Sequence, residues 1–199
     1  MKTLHRPDLL TWSHFDQDRN IDFNSFLWLR PEGNVAIDPQ PLTDHDLKHL
    51  ASLGPLSAIV ITNSDHIRDA EALSELTGAQ IYGPSQERED FPIDCDVWLS
   101  DGAEPFPGLR CYAMDGSKTP GELAFVLDGT TLITGDLIRS HAAGSLMLLP
   151  PDKLKNFEEA KASVERLLSE DHIKAVLVGD GWHVFSEGHQ RLKDLADAL

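Results

Sequence analysis

The sequence predicts an α+β protein in which two β-sheets lie between outer helices. Short apolar stretches rich in strand-forming residues recur along the chain, and they are separated by segments with helical periodicity. The order of these segments is strands, helix, strand, helix, more strands, helix, strand, helix, which suits two sheets covered by helices on their outer faces. No linker or low-complexity segment divides the 199 residues, so we expect a single domain over residues 1–199.

The first half of the chain is predicted to be rich in strands. The predicted elements are strands over 9–15, 23–30 and 34–38, a helix over 43–53, a strand over 57–62, a helix over 65–77 and a strand over 79–83. Pro31–Asn34 supplies turn residues and predicts a hairpin. Thr43 is a suitable N-cap for the first helix. The stretch Ser57–Thr62 is almost wholly apolar, as expected for a strand that is covered on both faces.

The second half repeats the alternation of strands and helices. The predicted elements are strands over 97–99, 109–114, 123–127 and 131–134, an irregular loop over 139–151, a helix over 156–169, a strand over 173–178 and a helix over 186–199. Asp128-Gly129 between two strands is a strong hairpin signal. Asn156 with Glu159 fits a loosely defined capping box at the start of the third helix.

Composition limits the classes of partner and the compartment. Seventeen Lys and Arg residues against 33 Asp and Glu residues give a formal charge of −16, so nucleic acid and anionic membranes are not expected partners. The N-terminus lacks the apolar core of a signal peptide, and the only two cysteines, Cys95 and Cys111, have no metal-type spacing. We therefore expect free thiols and a cytoplasmic protein whose partner is a small-molecule substrate. The sequence leaves the oligomeric state open.

Four strand ends carry polar residues that are suited to chemistry. Leu132–Asp136 reads as a buried strand that turns at Gly135 and delivers the Asp136 carboxylate. Comparable strand ends are Thr62–His66, Gly116–Gly121 and Val178–Gly181. We expect these four loops to meet at one site.

Four short motifs in these loops resemble those of the metallo-β-lactamase superfamily. Asp65-His66 and the segment after it resemble the second half of that family's H-x-H-x-D-H motif. Lys118–Glu122 resembles its G-H-T-P-G loop, and Thr134–Asp136 matches its T-G-D strand end. Gly179–Gly181 falls where the family often has G-H-G. The resemblance covers essentially the whole chain and implies a four-layer αββα sandwich.

The resemblance implies that a three-histidine metal site is missing. The family typically binds two metal ions, one of them held by three histidines. With Asp65-His66 as the anchor, those histidine positions fall on Ile61, Asn63 and Lys118. A protonated lysine cannot bind a metal ion. A different register would instead put Asp65 on the second histidine position and leave His66 outside the pattern.

The second metal site of the family is better preserved. Its residues would be Asp65, His66 and the bridging Asp136, with Asp180 in place of a histidine. This oxygen-rich set suits Mn²⁺, Mg²⁺ or Fe²⁺ better than a structural zinc. Three carboxylates need a positive charge among them. We therefore expect one divalent ion (Mn, Fe, Zn or Mg), the Lys118 ammonium, or both.

Two functions remain open from the sequence. One is a metal-dependent hydrolase of a small ester, lactone or thioester, with Asp136 and Lys118 as catalytic residues. The alternative is a non-catalytic scaffold or small-molecule-binding relative in which a Lys118/Asp136 salt-bridge network replaces the metals.

Three further residues are candidates for the same site. Arg139 and His141 follow Asp136, and His183 follows Asp180 closely enough to replace the missing histidine through a small shift of the loop. The alternative interpretation is a solvated loop for Arg139 and His141, and a packed or surface histidine for His183.

Overall fold

The first sheet contains seven strands that are ordered in space as they are along the chain. The computed structural model describes residues 1–199. The strands are β1 (Lys2–Thr3), β2 (Leu9–Asp16), β3 (Ile21–Trp28), β4 (Asn34–Ile37), β5 (Leu56–Val60), β6 (Gln80–Pro84) and β7 (Val97–Leu99). Strands β1 to β4 pair antiparallel, whereas β4 to β7 pair parallel. The parallel pairs from β4 to β6 are connected by α1 (Asp44–Ser52) and α2 (Ala70–Thr77).

The second sheet contains four strands from the C-terminal half of the chain. They are β8 (Leu109–Met114), β9 (Glu122–Leu127), β10 (Thr131–Thr134) and β13 (Ala175–Val178), in the spatial order β13-β10-β9-β8. Only the β10–β13 pair is parallel. The crossover between them contains a small ribbon of β11 (Ile138–Arg139) and β12 (Met147–Leu148), followed by α3 (Phe157–Leu167). Helix α4 (Gly188–Asp197) closes the chain.

Three apolar clusters define the layers. The central cluster, which includes Phe26 and Phe125, draws on both sheets. A second cluster joins the outer face of the first sheet to α1 and α2, and a third joins the outer face of the second sheet to α3 and α4. Ile133 belongs to the central cluster and Leu132 to the α3/α4 cluster, because successive strand residues face opposite sides of a sheet. The predicted αββα sandwich is confirmed.

Two local predictions were wrong. The segment 65–77 is not one helix, since a single 3₁₀ turn covers Ser64–His66 and α2 starts only at Ala70. Arg68 between them has a φ of +43°, which no α-helix accommodates. The predicted loop over 139–151 contains most of the β11–β12 ribbon, which packs Leu148 against the α3/α4 cluster.

Several local signals acted as predicted. Asp128 and Gly129 have φ values of +47° and +63° in the tight turn that connects the antiparallel strands β9 and β10, a left-handed conformation that Asp and Gly adopt more readily than most residues. Asn156 caps α3 by accepting hydrogen bonds from the backbone N–H groups of Glu158 and Glu159. Cys95 and Cys111 are both free. Every helix is too short or too polar to cross a membrane.

Candidate functional site

The loops that follow parallel strands of both sheets meet at one edge of the sandwich. His66 follows β5, Asp136 follows β10 and Asp180 follows β13, while Lys118 comes from the β8–β9 loop. A cavity of about 730 Å³ lies there. Its lining includes Asp65, His66, Lys118, Asp136 and Asp180. The four loops singled out in the sequence thus contribute to one cavity, where the carboxyl ends of parallel strands commonly place ligands.

His66 is fixed between two carboxylates. Its Nδ1 lies 2.8 Å from Oδ2 of Asp38 and 3.0 Å from Oγ1 of Thr62, and its Nε2 lies 3.5 Å from Oδ2 of Asp136. Burial and the Arg68 guanidinium both oppose a charged imidazole, but the carboxylates of Asp136 and Asp38 outweigh them and raise the pKa of His66 to about 10. Without a metal ion, His66 is therefore an imidazolium at neutral pH.

Asp136 is the most heavily contacted carboxylate of the site. Its Oδ2 lies 2.8 Å from Lys118 Nζ and accepts a hydrogen bond from Asn63 at 3.2 Å, while its Oδ1 accepts one from Arg139 at 3.3 Å. Burial alone would raise its pKa, yet the charges of His66 and Lys118 hold it below the usual range. Asp136 is therefore ionised throughout the physiological pH range.

Lys118 bridges two of the three aspartates that the resemblance places in the metal site. Its Nζ lies 2.7 Å from Oδ2 of Asp65 as well as 2.8 Å from Asp136. Burial would lower the pKa of Lys118, but Asp136 and then Asp65 raise it. Lys118 is consequently a cation that faces the cavity, and the Asp65 carboxylate is exposed and turned towards it.

Arg139 links Asp136 with Asp180. Although a solvated position was one interpretation of the sequence, Arg139 is only 8% exposed, and its guanidinium contacts the carboxylates of both aspartates. Burial and the charge of Asp136 raise the pKa of Asp180. One oxygen of Asp180, Oδ1, is buried without a hydrogen-bond partner. A buried carboxylate oxygen without a donor is open to a further positive group.

The structure adds three charged residues that the sequence did not single out for the site. Asp38 orients His66, and Arg68 donates to the backbone carbonyl oxygens of Asp38 and Asn24. Asp38 and Arg68 have φ values of +48° and +43°, a left-handed conformation that costs free energy in a non-glycine residue. In the sequence, Asp38 is only the last residue of the predicted strand over 34–38, and Arg68 lies within the predicted helix over 65–77.

Glu122 is the third of these residues, and it lies beneath Asp136. It is fully buried and accepts hydrogen bonds from Ser117 Oγ at 2.7 Å and from the backbone N–H of Leu137 at 2.9 Å. Burial and the neighbouring charge of Asp136 raise the pKa of Glu122 to about 7. In the sequence, Glu122 is only the last residue of the Lys118–Glu122 motif.

His66, Asp136 and Asp180 fit one divalent cation. One donor atom from each lies within 4.8 Å of the others. Asp38 holds Nδ1 of His66 and leaves Nε2 free to coordinate, which is the usual support of a metal-binding histidine. The unpartnered Oδ1 of Asp180 would also gain a partner. Asp65 lies outside this group, and its assignment as a ligand stays a prediction.

Ile61, Asn63 and Lys118, which the resemblance aligns with three histidines, are apolar or already have partners. Ile61 is apolar and fully buried, and Asn63 already donates its amide to Asp136. Lys118 places an ammonium beside the same carboxylate. The Lys118 ammonium would repel a cation placed next to it.

The charges of the site balance without an added ion. Apart from the buried Glu122, whose pKa is raised to about 7, four carboxylates face four cations: Asp38, Asp65, Asp136 and Asp180 against His66, Arg68, Lys118 and Arg139. A metal ion would therefore compete with charges that the protein already supplies, chiefly the guanidinium of Arg139.

The two remaining histidine candidates are differently placed. His141 is exposed and lines the cavity. His183 does not line it, because its ring packs against Phe26 and Phe185, and its Nδ1 accepts a hydrogen bond from the backbone N–H of Val178 at 3.3 Å. The structure thus brings Arg139 and His141 to the cavity but not His183.

Comparisons with known proteins point to one family. A family model described as the metallo-beta-lactamase superfamily matches residues 1–199. A hydroxyacylglutathione hydrolase of Pseudomonas entomophila (strain L48) is 31% identical over 148 residues, which is 66% of this chain and 54% of that protein. The chain therefore spans about half the length of this relative.

Solved structures show the same fold at low sequence identity. The DIM-1 metallo-beta-lactamase superposes with a TM-score of 0.76 over 99% of this chain and 96% of its own, at 14% identity. TTHA1623 in a di-iron-bound form gives a TM-score of 0.70 over 94% of this chain and 100% of its own, at 21% identity. These likenesses show a shared architecture.

Proposed function

Because the chain belongs to the metallo-β-lactamase superfamily, we propose that it hydrolyses a small ester, lactone or thioester in the cavity described above. Lys118 takes over the electrostatic role of one of the family's two metal ions, and at most one divalent ion is held by His66, Asp136 and Asp180. The observation that carries the proposal is the position of Lys118 Nζ, 2.8 Å from Asp136 and 2.7 Å from Asp65 in the cavity.

The residues suit acyl hydrolysis in distinct ways. The Lys118 ammonium would stabilise the oxyanion that forms as water adds to the carbonyl carbon. Asp136 holds Lys118 in place, and Asp38 holds His66 in one orientation. A divalent ion bound by His66, Asp136 and Asp180 would supply Lewis-acid polarisation of the same carbonyl.

The relative from Pseudomonas entomophila narrows the first substrates to assay. Its name denotes hydrolysis of an acylated glutathione, so an acyl thioester is a suitable first test compound. Since the chain spans only 54% of that protein, the relative's own substrate is a starting point and not an assignment.

A second candidate function is a non-catalytic small-molecule-binding protein. The observation that favours it is the contact of Arg139 with both Asp136 and Asp180, which neutralises the carboxylates that an ion would need. In this case the site is a salt-bridge network that holds the loops together and leaves the cavity for ligand binding.

Metal content and turnover of one protein preparation separate the two candidates. Protein purified without chelator would be loaded with Mn²⁺, Fe²⁺ or Zn²⁺, analysed for metal, and assayed with S-acetylglutathione and 4-nitrophenyl acetate. The hydrolase proposal expects up to one ion per chain and measurable turnover. Asp136→Asn should lose the ion, and Lys118→Met should lower kcat roughly 100-fold, as loss of an oxyanion donor does.

The matched control is Lys193→Met, an exposed lysine on α4. It should leave metal content and turnover unchanged. No turnover under any metal condition would refute the hydrolase and leave the binding protein. Unchanged kcat in Lys118→Met, with turnover in the wild type, would show that Lys118 has another role.

A further inference from the structure

We infer that this cavity selects substrates that combine an anionic group with an aromatic or other bulky apolar group. The anion would lie at Arg19 and Lys153, and the apolar group would lie against Phe15 and Trp182. That the ligand is a substrate rests on the proposed function. The chemical class of the ligand is tested by binding alone.

The lining of the cavity has more basic than acidic residues, although the molecule as a whole is acidic. Five of the 17 basic residues line it but only three of the 33 acidic ones. Charge of one sign that is concentrated in a cleft raises the local concentration of the opposite ion. Because the protein has a formal charge of −16, a small anionic ligand is attracted to this cluster of cations more strongly than to the rest of the surface.

Two of these cations remain available to a ligand. Arg68, Lys118 and Arg139 are balanced by carboxylates of the site. Arg19 and Lys153 are exposed lining residues. Arg19 has one ion pair, with Asp16 at 4.0 Å, which is long and solvent-exposed, and Lys153 has none. These two side chains carry the surplus positive charge of the cavity.

An aromatic shelf adjoins the cavity. A neighbouring cavity of about 320 Å³ shares Arg19, Ile21 and His141 with it. This second cavity is also lined by Phe15, which is 50% exposed, and Trp182, which is 59% exposed. We call Phe15 and Trp182 the aromatic shelf.

The Trp182 side of the shelf is held by backbone hydrogen bonds. The N–H of Trp182 donates to Ser140 at 2.9 Å, and the N–H of Gly181 donates to Asp22 at 2.8 Å. Gly181 has a φ of +96°, and a Cβ there would overlap the Ser140 carbonyl. The loop therefore presents an exposed indole from a fixed backbone, an arrangement that suits stacking with a flat apolar group.

The two available cations and the aromatic shelf together suit one small ligand. The concave shape and the continuity of the two cavities suit a small molecule better than a protein surface, which would need a larger flat patch. The reacting bond would lie near Lys118 and His66, with the anion at Arg19 and Lys153 and the apolar group on the aromatic shelf.

Calorimetric titration with four probes tests this ligand class. The probes are 2-naphthoate and 2-naphthyl phosphate, which carry both features, 2-naphthalenemethanol, which lacks the anion, and acetate, which lacks the ring. We expect at least one of the two anionic naphthalenes to bind about tenfold more tightly than 2-naphthalenemethanol or acetate. The tighter of the two identifies the anion as a carboxylate or a phosphate. Equal binding of the anionic and neutral naphthalenes, or no binding of any probe, would overturn the inference.

Two variants assign the binding groups. Arg19→Gln/Lys153→Gln should weaken the anionic naphthalene about tenfold and leave 2-naphthalenemethanol unchanged, whereas Trp182→Ala should weaken both. Lys48→Gln, an exposed lysine on α1, is the charge-matched control and should change neither. Unchanged binding in the double variant would contradict the assignment. Selective binding without turnover of any ester would instead refute the hydrolase and leave this inference intact.

Discussion

At the scale of single residues, Lys118 sets the charge that faces Asp136 in the cavity. Its ammonium lies within 2.8 Å of this buried carboxylate. A fixed ammonium supplies positive charge at all physiological pH values without a metal ion. The Lys118–Asp136 pair therefore matters for stability as well as for chemistry.

We expect Lys118→Met to destabilise the protein. Asp136 is buried and would lose one of its three charged partners, so the free energy of unfolding in urea at pH 7 should fall by about 1–2 kcal/mol, less than for a fully buried pair because the lysine side chain is 29% exposed. Lys118→Arg should recover most of this loss, and the exposed Lys193→Met should change little. Equal stability of the methionine variant and the wild type would show that Arg139 and His66 suffice for Asp136.

His183 gives the protein a pH-dependent stability. Burial, with the charge of His5, lowers its pKa to about 4 from an ordinary value of 6.5, and its Nδ1 accepts the hydrogen bond from Val178. Between pH 4 and 6.5 the unfolded chain binds a proton that the folded chain does not, so this contribution is complete above pH 6.5 and is lost as the pH falls towards 4.

Substituting His183 should remove this dependence. The wild type should lose about 3 kcal/mol of unfolding free energy between pH 6.5 and pH 4 through His183, and His183→Asn, which keeps an acceptor near the Nδ1 position, should show a correspondingly smaller slope. His172→Gln alters an exposed histidine and should keep the wild-type slope. Parallel pH profiles of the His183→Asn variant and the wild type would contradict the expectation.

At the scale of elements, the β8–β9 loop that carries Lys118 is seated on α3. Gly116 has a φ of +80°, and a Cβ there would lie 2.3 Å from the backbone nitrogen of Ala160 and from the carbonyl oxygen of Asn156. The carbonyl of Gly116 also accepts hydrogen bonds from the N–H groups of Lys155 and Asn156. The start of α3 therefore fixes where Lys118 emerges, and a helix on the outer face acts on the cavity through this loop.

Gly116→Ala should disrupt the contact between the β8–β9 loop and the start of α3. The added methyl group meets backbone atoms in a conformation that L-residues disfavour, so we expect a loss of about 2–4 kcal/mol in urea unfolding. Gly129→Ala is the matched control, because Gly129 has a φ of +63° and no atom lies within 4 Å of where the methyl group would be, and it should lose only about 1 kcal/mol. Similar losses for both glycines would show that the contact with α3 does not constrain the loop.

At the scale of the whole molecule, the central apolar cluster joins the two sheets and so holds the halves of the site together. Asp38 and His66 come from the first sheet, whereas Asp136 and Asp180 come from the second. Phe125 is fully buried within the central cluster. A cavity left between the sheets would weaken the packing that keeps these four side chains at their distances.

Phe125→Ala should therefore be strongly destabilising. Loss of a fully buried phenyl ring costs about 3–5 kcal/mol, measured here as the fall in unfolding free energy in urea. Phe157→Ala provides the comparison, since Phe157 is 36% exposed at the start of α3, and it should lose less than about 1 kcal/mol. A loss for Phe125→Ala as small as for Phe157→Ala would show that the sheets do not depend on this contact.

Sequence patterns predicted most of the elements because these follow from local chemistry. The tight turn at Asp128-Gly129 and the cap at Asn156 each depend on one or two residues. The prediction of one helix over 65–77 was wrong because Arg68 takes a left-handed conformation, which its hydrogen bonds to distant carbonyl groups stabilise. Those partners, on Asn24 and Asp38, are 44 and 30 residues away in the chain, beyond any local pattern.

The layer order and the four loops that meet at the cavity follow from the sequence alone. Periodicity, turn chemistry and motif order contain that information, since each is read over a few neighbouring residues. Which charges pair with one another depends on the tertiary structure. It places Arg139 between Asp136 and Asp180, Asp38 behind His66 and Lys118 between two aspartates. The energy of a buried charge depends on its neighbours in space, and the chain brings those neighbours together only when both sheets have packed.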